Sequence, residues 1–272
     1  MVGELSAFVA AVLWSFSPYV FSAIVKRSGS FLLNTSRLFI SGLMMLITFF
    51  VFGINFAFTQ PQFIYLVLSG LIGLVLGDTF LFKSLDEIGP RYTMLIMSSN
   101  PAIGAIIAYF TFNEIIQPIG IIGMAVTLFG IILVINQQPN EEISKFKITR
   151  KGIIFGFLAA LGQGLGLIFT KLAYFEGDLN PLIATFLRIF SSFLILLPIG
   201  YISKRITIER LRLLFRGKTF LLLLLGSFIG PYLGITLSYI AIANAPIGVA
   251  STIMSFQPIL MLPISKVLHK ER

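Results

Sequence analysis

The sequence of 272 residues has no cysteine, one histidine and one tryptophan, and only 11% of its residues are charged. Without cysteine there can be no disulfide, no thiolate nucleophile and no cysteine-ligated metal. The single histidine, His269, lies in the terminal tail, so the apolar body has no imidazole for acid–base chemistry or metal binding. Carboxylates are sparse and unclustered, which argues against a metal centre and against paired-carboxylate catalysis. No nucleotide-binding loop occurs, so ATP-driven work is excluded. These gaps point to no enzyme, no cofactor and no metal.

What the sequence has is apolar length. Hydrophobic residues make up 57% and the mean hydropathy is +0.96, far above what a soluble domain of this size hides. Nine apolar runs lie near 3–24, 31–52, 62–82, 92–112, 118–136, 152–174, 181–201, 219–240 and 248–265. Each is about 20 residues, enough for a helix to cross a ~30 Å hydrocarbon core. A barrel would show short alternating segments instead. The first run starts at Gly3 with no basic region before it and no small-residue cleavage site after it, so it reads as a retained helix. The net charge of +9 fits basic loops beside a membrane rather than a nucleic-acid partner.

The chain repeats itself. Pro101 and Pro258 are 157 residues apart, and at that offset Ile96, Met97 and Ser98 fall on Ile253, Met254 and Ser255, Gly77 on Gly234, Thr79 on Thr236 and Glu114 on Glu271. An offset of 149 pairs Gly3, Phe8, Ala10 and Ala11 with Gly152, Phe157, Ala159 and Ala160, and one of 151 pairs Arg37 and Phe39 with Arg188 and Phe190. The offset drifts only across loops, as duplication requires.

Charge shows that the copies are inverted. Lys26 and Arg27 follow the first run, whereas Glu176 and Asp178 follow its counterpart. The loop after the second run is uncharged, whereas its counterpart "SKRITIERLRLLFRGK" is strongly basic. An all-α polytopic membrane protein is expected, built from two inverted repeats of a five-helix unit with 5 + 4 spans present. The repeats are 1–136 and 152–272, joined by a basic linker, 137–151. The positive-inside rule puts that linker and the basic loop in the cytoplasm and the amino terminus outside, in the cell (cytoplasmic) membrane. Since Glu271 matches Glu114, the counterpart of the fifth span would start where the sequence ends, and a tenth helix is expected to be missing.

The segments "AAVLW", "GDTFLFKSLDEIGP" and "SSNP" followed thirteen residues later by Glu114, with "SFQP" and Glu271 as the second copy, resemble the drug/metabolite transporter superfamily in its ten-helix EamA-type form. The resemblance covers the whole chain. It implies export or exchange of small organic solutes by alternating access, without naming the solute. The sequence departs from the pattern in the missing last span and in Gln163, which stands where the first copy has Trp14.

Candidate site residues follow from depth. Pro101 and Pro258 lie about ten residues into their spans, near the midplane. A proline there frees the carbonyl about four residues earlier, beside Ser98, Asn100, Ser255 and Gln257. Broken helices at matching places in inverted halves point to a substrate site that also takes in Trp14, Gln163 and Thr236. A purely structural kink is the competing reading. Arg37 and Asp78 lie some 9 Å and 7–8 Å in from the same face, close enough to pair as a gate or proton-sensitive couple, or as a static bridge. Ile235 replaces Asp78 in the second half. Arg188 suits an anionic group of a solute if deep; snorkelling to headgroups or reaching Glu176 or Asp178 is the safer expectation. Lys83 is expected to face Asp86 and Glu87, and the basic stretch after the seventh span to form an interfacial helix.

The leading reading is a secondary transporter of metabolites or drugs around a midplane cavity, with proton coupling and a homo-oligomer as further expectations. Its partners are a small-molecule solute and the bilayer, with no nucleic acid. The alternative is a non-transporting sensor or assembly scaffold derived from a transporter.

Overall fold

The computed structural model describes residues 1–112, 118–136, 147–245 and 247–261. The counterparts Glu114 and Glu271, and most of the linker 137–151, lie outside the described residues, as does any tenth span.

The first repeat contains α1 (Val2–Ser28), α2 (Ser30–Phe52), α3 (Gln60–Ser69), α4 (Asp78–Met97), α5 (Asn100–Phe112) and α6 (Pro118–Asn136). The second contains α7 (Arg150–Phe175), α8 (Pro181–Ile202), α9 (Ile208–Leu214), α10 (Gly217–Ser227), α11 (Ile235–Asn244) and α12 (Ile247–Met254). A π-helical segment, Gly70–Gly77, joins α3 to α4, and another, Phe228–Gly234, joins α10 to α11. Among the described residues six helical stretches are long and apolar enough to cross a membrane, with shorter apolar helices at Asn100–Phe112, Pro118–Leu133 and Val249–Met261. One of the six, Gln60–Met97, holds the expected span 62–82 and the start of the expected span 92–112, which continues in α5. It is interrupted at Gly89, whose φ of 78° only glycine adopts readily.

Local chemistry sets the boundaries. Thr59 and Gln62 form a reciprocal capping box at the start of α3. Thr149 accepts from the Gly152 amide to start α7, and Asn180 from that of Leu182 to start α8, where Pro181 takes the first turn. The polarity is inside out for a soluble protein. Asn34, Arg37, Ser41, Ser69, Asp78, Ser84 and Arg188 are buried, while Phe8, Phe50, Phe110, Phe129 and Leu194 stand exposed. That is the distribution lipid demands.

The two repeats interlock. α1 packs on α10, the second π segment, α11 and α12; α7 packs on α3, the first π segment, α4 and α5. The first helix of each repeat thus lies against the third and fourth spans of the other. Glycines at equivalent positions make the approach possible. A Cβ on Gly3 would meet Asn244 and Ala245, and one on Gly152 would meet Glu87 and Ile88. At the crossing of α7, a Cβ on Gly162 would stand 2.9 Å from the Cα of Gly77. Outside this cluster lies α6, which reaches it through Ile131 packed with Ile88, Tyr92 and Ile96. The basic stretch forms the short α9, with Leu214 buried and Ile208 and Leu213 exposed.

Candidate functional site

Both π segments end in the spacing Gly-x-x-x-Gly, at Gly73–Gly77 and Gly230–Gly234. In each, the carbonyl of the earlier glycine accepts the amide five residues on, from Asp78 and from Ile235. It also accepts a side chain from the other repeat. Gln163 Nε2 donates to Gly73 O at 3.2 Å, and Trp14 Nε1 donates to Gly230 O at 3.4 Å. Trp14 and Gln163 are themselves equivalents, so one tertiary bond is built twice with different side chains.

The helices break where the prolines require it. α4 ends at Met97 and α12 at Met254, with turns at Ser98–Ser99 and Ser255–Phe256 before helix resumes. Pro18 frees another carbonyl. It has no N–H to give the carbonyl of Trp14 four residues earlier, and Gln257 Nε2 fills that place at 2.6 Å, also lying 3.1 Å from Met94 Sδ.

Between these elements lies a cavity of about 240 Å³. Its wall includes Trp14, Ser98, Asn100, Pro101, Gln163, Ser255, Gln257 and Pro258, together with Arg37, Asp78 and Arg188. Thr236 is not on the wall; it is buried, and its hydroxyl bonds the carbonyl of Tyr232 one turn back in its own span. Leu81, Phe82, Leu85, Met94 and Met97 give the wall an apolar side. Asn100 Oδ1 is buried there without a partner.

A hydrogen-bonded chain crosses this wall from one repeat to the other. Arg37 forms an ion pair with Asp78 and bonds Asn34 through its Nε at 3.2 Å. The other carboxylate oxygen of Asp78 accepts from Gln163 Nε2 at 2.5 Å. Gln163 Oε1 accepts from Arg188 at 3.2 Å, and Arg188 donates to Tyr239 Oη at 2.9 Å. Tyr239 meets Thr170, and Thr170 meets Ser69. Arg37, Asp78 and Arg188 are 5%, 3% and 2% exposed, so all three charges are held away from solvent and lipid headgroups. The Arg37 guanidinium also stands 4.8 Å from the Phe82 ring centroid.

Two expectations are corrected here. Arg188 does not snorkel, because Tyr239 and Gln163 hold its guanidinium inside while Glu176 and Asp178 are exposed at the far end of α7. Lys83 turns instead to the rings of Phe80 and Phe155, at 5.3 and 5.2 Å. Sequence reasoning missed Tyr239 and Asn34. Asn34 donates to the Leu74 carbonyl within the first π segment at 2.7 Å, and a polar amide three residues before a buried arginine was the available signal.

Two interlocked repeats of apolar helices around a buried cavity are the architecture of a multi-pass membrane protein. Residues 1–136 and 150–272 match the EamA-like transporter family, and the chain belongs to it. It is therefore a membrane transporter of the drug/metabolite type, working in a lipid bilayer on a small solute. No curated protein sequence matches the chain. In three dimensions it is similar to a protein of known crystal structure, at a TM-score of 0.69 over 97% of this chain and 87% of that one. At 16% identity, this is a likeness of fold alone.

Proposed function

We propose that this protein is a secondary transporter of the cytoplasmic membrane that exports or exchanges small organic solutes by alternating access. The observation that carries this reading is the cavity of about 240 Å³ walled by both repeats, including both proline-broken helices. Broken helices near the midplane of inverted repeats present freed backbone groups to a solute. Trp14 supplies a ring face, the unpartnered Oδ1 of Asn100 accepts a hydrogen bond, and Gln257 offers its amide oxygen. Ser98 and Ser255, whose hydroxyls donate to Leu95 and Ser251 in their own helices, can only accept. Residues 1–136 rock against 152–272 about the linker 137–151. The chain Arg37–Asp78–Gln163–Arg188 spans the moving boundary, which suits a gate, and Asp78 is the group through which a proton would couple. Basic loops set the amino terminus outside.

The test is the thermal stability of purified protein in detergent against amino acids, nucleotide sugars and amphipathic drugs. A true solute raises stability by ~2.7 kcal/mol at a hundredfold excess over Kd. The shift should saturate and vanish in Asn100→Ala and Gln257→Ala; a flat response across every class would sink the reading. For coupling, Asp78→Asn should abolish the pH dependence of uptake into proteoliposomes. Unchanged transport with unchanged pH dependence would remove Asp78 from that role.

A further inference from the structure

The two arginines that line the cavity occupy equivalent positions, Arg37 in the first repeat and Arg188 in the second, and both are buried. They are served unequally. Arg37 has a carboxylate, Asp78. At the position equivalent to Asp78 the second repeat carries Ile235, and Ile235 also lines the cavity. Arg188 is left with the hydroxyl of Tyr239 and the amide oxygen of Gln163, both neutral, and its Nε has no hydrogen-bond partner. Asp78 acts on Arg188 only from a distance: its ion pair is with Arg37, and its other oxygen accepts from Gln163, which stands between it and Arg188. Among the described residues lining the cavity there are thus two guanidiniums and one carboxylate.

A buried charge whose direct hydrogen-bond partners are all neutral, and which shares one carboxylate with a second guanidinium, is costly unless an anion arrives to pair with it. A guanidinium is the side chain best matched to a carboxylate, through its planar fork of N–H donors. The backbone makes room for it, because a Cβ on Gly166 would stand 3.1 Å from Arg188 Nη2. The apolar wall of Leu81, Phe82, Leu85, Met94 and Met97 suits a hydrophobic body on the same molecule.

We propose that the solute taken by this cavity is an organic carboxylate with an apolar body, its carboxylate pairing with Arg188 as Asp78 pairs with Arg37. This rests on the reading of the cavity as the solute site.

The sole tryptophan, Trp14, lies on the cavity wall and reports occupancy directly. Protein in nanodiscs of neutral phosphatidylcholine is titrated at pH 7 with phenylacetate and with N-acetylleucine, each against its uncharged amide. The Trp14 emission should change saturably with the acids, which should bind at least about tenfold more tightly than the amides, as a charge-assisted bond warrants. Arg188→Gln should erase that preference, and Arg188→Lys should keep part of it. Ile235→Asp places a carboxylate in the chain itself and should abolish acid binding while amide binding persists; Ile235→Asn should leave acid binding intact.

Amides that bind as tightly as acids overturn the carboxylate and leave a neutral-solute site standing. A preference for acids that survives in Arg188→Gln, or in Ile235→Asp, overturns the pairing. If no probe moves Trp14 while other solutes raise thermal stability, the carboxylate is again wrong and the transporter reading survives. If those solutes fail as well, both fall together.

Discussion

The two repeats place one backbone in one frame and give it different chemistry. At the junction with the first π segment, the helix from the opposite repeat is α7, where Gly162 meets Gly77 backbone to backbone. At the second, α1 meets Gly234 through the Trp14 ring. The Gln163 side chain links Gly73, Asp78 and Arg188, whereas the Trp14 indole bonds Gly230. One repeat has its arginine paired to a carboxylate, and the other has an arginine whose hydrogen-bond partners are neutral. Positions that the backbone needs, such as the glycines and the broken helices, stay alike. Some cavity-facing pairs also match, such as Ser98 with Ser255, but Trp14 with Gln163, Asp78 with Ile235 and Asn100 with Gln257 differ, so an enclosure with symmetrical walls has an asymmetrical interior.

Removing Asp78 should break this comparison most severely. Asp78→Ala leaves Arg37 buried without its counter-ion, a change that typically costs about 3–5 kcal/mol. Arg188→Ala removes hydrogen bonds to neutral partners, a loss of about 1–3 kcal/mol. Thermal unfolding of the two variants in the same detergent should show the larger fall for Asp78→Ala. Equal falls would mean that both arginines are compensated alike.

The glycine crossings come next. Gly162→Ala puts a methyl 2.9 Å from the Cα of Gly77, where backbone must move, and overpacking of this kind costs about 1–3 kcal/mol. Gly123 in α6 has nothing within 4 Å of an added Cβ. There Gly123→Ala should be neutral or raise stability by up to about 1 kcal/mol through helix propensity. If Gly123→Ala proved as damaging as Gly162→Ala, tight packing would not be what the glycines of α7 provide.

Much of this was legible in the sequence because lipid imposes simple rules. Apolar length gave the spans, charge gave the inversion, and equal offsets gave the repeats. Helix depth was enough to bring Arg37 and Asp78 to one level. What the sequence hid was lateral. Which helix of one repeat lies against which of the other depends on packing, so Gln163 read as a departure from Trp14 rather than as the same link made with another side chain. Arg188 looked free to snorkel because its partners, Tyr239 and Gln163, come from other helices and neither carries a charge. Thr236 matched Thr79 by offset, yet its hydroxyl folds back on its own helix and leaves the cavity wall. The π turns carry no propensity signal of their own, and the shared glycine spacing was their only trace.

The smallest predicted effect tests the one freed carbonyl that only the first helix of the first repeat possesses. Pro18 denies the Trp14 carbonyl its helical donor, and Gln257 supplies one from the opposite repeat. The position equivalent to Pro18 in α7 is Leu167, so Gln163 keeps an ordinary helical donor for its own carbonyl. Gln257→Leu should therefore cost about 0.5–1.5 kcal/mol by taking the donor from a half-buried acceptor. In a Pro18→Ala background the same change should cost less, because the amide that alanine restores then satisfies that carbonyl within α1. The cycle should show a coupling of about 1 kcal/mol, which separates a specific bond from general packing. Strict additivity would mean that Gln257 stabilises α1 by volume alone. The bond across the repeats would then be a consequence of their contact rather than a cause.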